Sequence, residues 1–144
     1  MGYGERNSWI GLVVAIASIT VYLLLVVPQL ASTPVADIDW AQPMLWTIVG
    51  GIVASVLAGI VWGTLVRMRH DDDRPVEDVR DRDISRMGSR VGQGFLVLGI
   101  LGALVLCALT AEWFWIAQTL YVGAALSALV DCTARVIVYR TGMP

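Results

Sequence analysis

Long apolar stretches alternate along this chain with short polar ones. Four apolar runs, Trp9 to Leu30, Met44 to Val66, Val91 to Thr110 and Phe114 to Val138, are each long enough to cross a hydrocarbon core, which takes about 20 helical residues. Helices are the required form: a backbone amide left unpaired in lipid costs several kcal/mol, and the runs are too long and too evenly apolar for barrel strands. The pattern predicts an all-α fold, a four-transmembrane-helix bundle forming one integral membrane domain over residues 1–144. The first run begins where a secretory signal would. It spans about 22 residues, however, against roughly 7 to 15 for the apolar core of a signal, and no A-x-A-like site follows at a suitable distance. It is read as a membrane helix.

The one long polar run, Arg67 to Gly94, divides the chain into two apolar halves. From Arg67 to Arg90 it sets seven arginines against seven carboxylates, most of the ionisable groups in the protein. Pro75 suits the first turn of a helix, with Asp73, Glu77 and Asp78 near the positive end of its dipole. Val76, Val79, Ile84, Met87 and Val91 recur at near-helical steps, and Glu77 with Arg80, Asp78 with Arg82 and Asp83 with Arg86 put each acid three or four residues ahead of a base. The expectation is a short amphipathic cytoplasmic helix between helices two and three that runs into helix three, or breaks at the membrane face on Gly88, Gly92 and Gly94. Its charged residues Glu77, Asp78, Arg80, Arg82, Asp83, Arg86 and Arg90 are candidates for docking a soluble partner.

Charge is distributed unevenly across the runs. The linker from Ala31 to Pro43 and the turn at Ala111, Glu112 and Trp113 hold acids but no basic residue, whereas Arg6, the central run, Arg135 and Arg140 fall on the other side. By the positive-inside rule this predicts a multi-pass protein of the cytoplasmic (inner) membrane, with both termini and the central segment in the cytoplasm. Trp40, Trp46, Trp113 and Trp115 then sit at the outer boundary, and Trp9, Trp62 and Tyr139 at the inner one, where amphipathic rings prefer the headgroup level. The two halves follow the same in-out-in course, without a residue-level echo between them.

Composition agrees with a membrane protein, since 57% of residues are hydrophobic and the mean hydropathy is +0.71, beyond the range of roughly 45 to 50% apolar in soluble domains. All ten basic residues are arginine. A net charge of −2 is too small to argue for nucleic acid or acidic substrates, so membrane lipid is the expected surrounding and no direct nucleic-acid contact is expected. Cys107 and Cys132 lie inside apolar runs, as reduced, packed thiols do.

Two constellations stand out. Gly51, Ser55, Gly59 and Gly63 repeat every four positions on helix two, a GxxxG-type face that lets helices approach closely. It either packs within the bundle or joins two copies, and a homo-oligomer, with a dimer favoured, is expected. Gly99 with Ala103, beside Gly102, is a weaker version on helix three. On helix four, Gly123, Ser127, Asp131 and Arg135 share one face, and Asp131 and Arg135 are oriented for an intrahelical ion pair. Ionisable groups at membrane depth face a bundle interior, a cavity or each other. The pair is either a structural anchor, with Arg135 snorkelling to the interface, or part of an ion path. His70 beside Asp71, Asp72 and Asp73 has no second histidine or EF-hand spacing to make a metal site. The spacing Gly88-x-x-x-Gly92-x-Gly94 follows no strand and is no dinucleotide fingerprint. With His70 the only histidine, no Ser/His/Asp or Cys/His set assembles, so no catalytic residue, metal or cofactor is expected and the chain is not read as an enzyme.

Several segments resemble a family. Asp81, Arg82, Asp83 and Ile84, then Gly88, Arg90, Val91 and Gly92, then Phe114 to Ala117 with Tyr121, and finally Tyr139, Arg140 and Gly142 match its pattern D-x-R-D-x-E-I, G-E-x-V-G, F-W-I-A-N-x-I-Y-L and Y-R-R-G. The chain resembles an uncharacterised group of four-helix membrane proteins common in actinobacteria, of domain-of-unknown-function type. It departs from them at Ser85, where an acid is usual, at Gln118, where asparagine is usual, and at Asp131, in a place of small residues. The family is often encoded beside a helix-turn-helix regulator, so the resemblance implies a membrane partner in a regulatory pair.

Two functions are therefore expected in competition. One is a non-enzymatic accessory or regulatory protein whose charged segment docks a cytosolic regulatory protein. The other is a small oligomeric transporter or channel with Asp131 and Arg135 lining the path.

Overall fold

A computed structural model of the protein describes residues 3–69 and 79–141. Among them the regular structure is wholly helical: α1 (Tyr3–Ser32), a 3-10 turn (Val35–Asp37), α2 (Ala41–Arg69), α3 (Val79–Ala108) and α4 (Trp113–Thr141). Each α-helix contains a span long and apolar enough to cross a membrane, from 25 residues in α2 to 29 in α4. At 1.5 Å per residue these reach roughly 38 to 44 Å, so they cross a core of about 30 Å with turns left at the headgroup level. The chain is thus a multi-pass membrane protein. The ends holding Asp37, Asp39 and Glu112 are called the acidic end below, and those holding Arg6, Arg82 and Arg140 the arginine end.

The helices run beyond the apolar stretches that predict them, most of all in α3. This helix starts at Val79 and continues through Gly88, Gly92 and Gly94. The charged residues from Arg80 to Arg90 are therefore its own first turns, with neither a separate amphipathic helix nor a glycine break. The start expected at Pro75, with Val76, Glu77 and Asp78, and the His70 to Asp73 cluster lie outside the described residues. The expected stripe is also rotated: Ile84 is fully buried, whereas Met87 and Val91 are exposed. The buried face runs instead through Ile84, Gly88, Gly92, Gly99 and Ala103. Its glycines lower helix propensity by up to about 1 kcal/mol each, and the close approach of α4 offsets that cost.

α3 and α4 form the most extensive helix pair, α1 packs against both α2 and α4, and α2 stands off α4. Many large side chains, including Leu24, Trp46, Ile52, Leu98 and Leu104, are exposed. In water so much apolar surface would be a liability; facing lipid it is what the span requires. The buried cluster lies at the acidic end, where Tyr22, Val26, Ile38 and Phe114 pack with Val35, Trp40, Met44 and Tyr121. Trp46 and Trp113 project outward there, at 72% and 79% exposure, as rings of an interfacial belt do. At the arginine end the Arg6 guanidinium lies 4.7 Å from the ring centre of Trp62 and that of Arg140 lies 5.4 Å from Trp9. These cation–π contacts tie α1 to α2 and to α4.

The turn between α3 and α4 is a Schellman cap: Ala111 N–H donates to Leu106 C=O and Thr110 N–H to Cys107 C=O, each at 3.0 Å. The residue in the left-handed position is Thr110, with φ of 53°, where a β-branched side chain is strained by about 1–2 kcal/mol. Thr110→Gly is expected to raise stability by about 1 kcal/mol in denaturant or thermal unfolding of the micelle-borne protein. An unchanged or lower midpoint would show that the threonine is held by contacts that outweigh its strain.

Where α3 crosses α4, a Cβ placed on Gly99 would lie 2.7 Å from the Gly123 Cα, and one on Gly123 would lie 2.6 Å from the Gly99 Cα. Neither backbone can yield without separating the helices. Gly123→Val is expected to destabilise the bundle by about 1–3 kcal/mol or more. Gly94→Val, at a position with open space around it, is expected to stay within about 0.5 kcal/mol. Equal unfolding midpoints for the two variants would contradict the crossing geometry.

Candidate functional site

Gly123, Ser127, Asp131 and Arg135 succeed one another along α4 at one-turn intervals, and all four face α3. Gly123 meets Gly99 at the crossing. One turn on, a Cβ at Gly92 would fall 2.7 Å from the Ser127 carbonyl oxygen and 3.1 Å from the Asp131 Cβ. Further along, a Cβ at Gly88 would fall 2.7 Å from both the Asp131 Oδ1 and the Arg135 Cγ. The glycines of α3 form a floor on which the polar residues of α4 lie. Nothing larger would fit.

The ion pair closes on this floor. Arg135 Nε donates to Asp131 Oδ1 at 2.9 Å, and Arg135 Nη2 donates to Asp131 Oδ2 at 2.7 Å and to Ser89 Oγ at 3.0 Å. The two Asp131 contacts form a bidentate fork, the strongest common geometry between these groups. The Ser89 contact carries the network across to α3. Side-chain exposures of 23% and 24% leave both residues mostly covered. Ser89 is not among the residues that the sequence singles out; its one clue is a hydroxyl one residue beyond Gly88.

Sequence reading also missed a second polar layer, nearer the acidic end. The Gln118 amide on α4 donates to the hydroxyl of Tyr22 on α1. The Tyr22 and Tyr121 rings lie 4.3 Å apart, centre to centre. The layer joins α1 to α4, and Met44 of α2 packs against the cluster that holds Tyr22. A tyrosine inside the apolar run of α1 is the sequence signal for it, since a phenol at membrane depth needs a partner.

The small face of α2 is divided. Gly51 packs against Ser18 of α1, where an added Cβ would lie 2.7 Å from the Ser18 Oγ. Ser55 donates to the Ile52 carbonyl in its own helix and lines a cavity. Gly59 and Gly63 meet nothing within 4 Å among the described residues. The tight small-residue joint of this bundle is therefore on α3 and α4.

Of the candidate docking residues, Glu77 and Asp78 lie outside the described residues and Arg80 belongs to the first turn of α3. Arg82, Asp83, Arg86 and Arg90 are exposed, opposite the buried Ile84, Gly88 and Gly92. Arg86 and Asp83 come within 3.9 Å of each other on this face. The charged face and the ion pair lie on opposite sides of α3.

The fold and the joint define a membrane protein with four apolar spans among the described residues, in which a charge network lies between two helices. The chain matches no family model, no curated protein and no solved structure.

A double-mutant cycle measures how far the pair acts as one unit. Asp131→Asn and Arg135→Gln are each expected to destabilise the protein, with a coupling energy of about 1–2 kcal/mol in reversible unfolding in micelles. Additive effects would show that the two groups do not stabilise the fold together.

Proposed function

We propose that this protein is a non-enzymatic accessory or regulatory component of the cytoplasmic membrane. In this reading both termini and the Arg/Asp-rich segment lie in the cytoplasm, and that segment docks a soluble regulatory protein. The observation that carries it is the closed state of the Asp131–Arg135 pair: both groups engage each other and Ser89 inside a helix joint. A conduit needs polar groups turned toward a path, whereas this pair is turned toward a glycine floor. The run of arginine and acid along the exposed face of α3 supports docking, because a mixed charge pattern gives specificity and steering to a partner with the complementary pattern. The arginine bias supports the orientation. Gly59 and Gly63, open on α2, support self-association as a dimer through that face. Kinship with the four-helix actinobacterial family that the sequence resembles belongs to the same proposal.

A second reading has its own support. Arg135 also borders a cavity of about 290 Å³ with Asn7 and Ser8, and an oligomeric transporter would use such a mouth. Two measurements separate the readings. Replacing Glu77, Asp78, Arg80, Arg82, Asp83, Arg86 and Arg90 by glutamine or asparagine is expected to abolish co-purification of a cytosolic protein from native cells while membrane insertion persists. Asp131→Asn is expected to leave ion and proton flux in proteoliposomes at the level of protein-free vesicles, as for the native chain. A flux that the native chain carries and Asp131→Asn abolishes would replace the accessory reading with the transporter.

A further inference from the structure

Between α1, α2 and α4 lies a chamber of about 650 Å³, within the range of roughly 300–1,000 Å³ typical of sites that take small molecules. Its walls are apolar or small on all three helices, including Gly11, Ser18, Gly51, Ala124, Ala125 and Ala128. The lining of α4 runs from Ala117 to Cys132, about 22 Å at 1.5 Å per residue. The chamber is long, narrow and aligned with the helices. Toward the acidic end the Tyr22, Phe114 and Ile38 cluster, with Tyr121 packed on it, stops it. Toward the arginine end it shares Gly11, Ser55 and Cys132 with the smaller cavity lined by Asn7, Ser8 and Arg135.

An apolar shaft with a polar mouth, at the end where Arg6 and Arg140 also stand, selects for an amphiphile. We propose that the chamber holds one acyl chain of an anionic phospholipid, with its headgroup at Asn7, Ser8 and Arg135. Length fits a single chain, since the α4 lining alone runs about 22 Å. A solute with polar groups along its length would lose their hydrogen bonds against these walls. Entry needs no opening movement, since α2 stands off α4 and the gap faces the bilayer. Charge favours an anion at the mouth. Asp131 holds the Nε–Nη2 edge of the Arg135 guanidinium, so a phosphate would approach from the Nη1 side. Arg6 and Arg140, held over Trp62 and Trp9, stand at the same end. This inference does not depend on the docking role.

The test uses the full chain in nanodiscs of equal parts phosphatidylglycerol and phosphatidylcholine, both with palmitoyl and oleoyl chains, followed by detergent release and native mass spectrometry. The expected result is one phosphatidylglycerol retained per chain. Ala125→Phe, which fills the shaft from α4, is expected to lower that retention about tenfold or more. Ile48→Trp fills it from α2 and gives the same reading if the first variant does not fold, with helicity by circular dichroism as the check on each. The double variant Asp131→Asn, Arg135→Gln is expected to retain a lipid but without preference between the two headgroups. The proposal is overturned if the native chain retains no lipid, holds the two lipids equally, binds as well with the shaft filled, or leaves the disc with a second copy of itself in place of lipid.

Discussion

The close approach of α3 and α4 is the contact on which the rest of the structure depends. In hydrocarbon a leucine gains little by turning from lipid to a neighbouring helix, so association must come from dense packing and from polar groups that find partners. Gly99 and Gly123 provide the first by bringing two backbones together. That distance then permits the second: with the helices this near, Ser89 reaches Arg135, and Gly88 and Gly92 leave the space in which Asp131 lies. Had either glycine been alanine, the ion pair would have lost its link to α3 and kept only its bond within α4.

The other half of the bundle is held differently. α1 is fastened to its neighbours at both ends: by the Tyr22, Gln118 and Tyr121 layer, with Met44 of α2 packed on its cluster, near the acidic end, and by the Arg–Trp contacts at the arginine end. Between them Gly51 brings α2 close to α1, against Ser18. Helices fastened at both ends over small residues leave a hollow, and the chamber is that hollow. The same sequence thus builds a dense pair and a spaced trio from one stock of small residues. The difference lies in whether glycine meets glycine, as at Gly99 and Gly123, or meets nothing, as at Gly59 and Gly63.

That distinction also explains what the sequence discloses and what it hides. Four membrane helices are legible because lipid leaves the backbone no other choice, and the face of α4 is legible because Gly123, Ser127, Asp131 and Arg135 interrupt an apolar run at a regular interval. The rotation of α3 is marked on its outer side by Arg82, Asp83, Arg86 and Arg90, but the inner side opposite them is largely glycine, which hydropathy does not score as core. Hence Met87 and Val91 look like core but face outward, while Gly88 and Gly92 look like breaks but form the floor. The α2 motif misleads for the same reason: spacing identifies a face that can be packed, and only the neighbour decides whether it is.

Continuity of α3 joins its charged face to the glycine floor. Arg82, Asp83, Arg86 and Arg90 project from one side of the helix, and Ile84, Gly88 and Gly92 press against the bundle from the other, with no break from Val79 to Ala108. A helix without a hinge moves as a rod, so a tilt imposed at its charged face shifts the glycine floor with it. The floor has no slack: its close contacts are with the backbone of Ser127 and with Asp131 itself. Interfaces packed this tightly respond by changing arrangement and not by gradual deformation. The Asp131–Arg135–Ser89 network lies on that surface, and its Ser89 bond ties α4 to α3 across it.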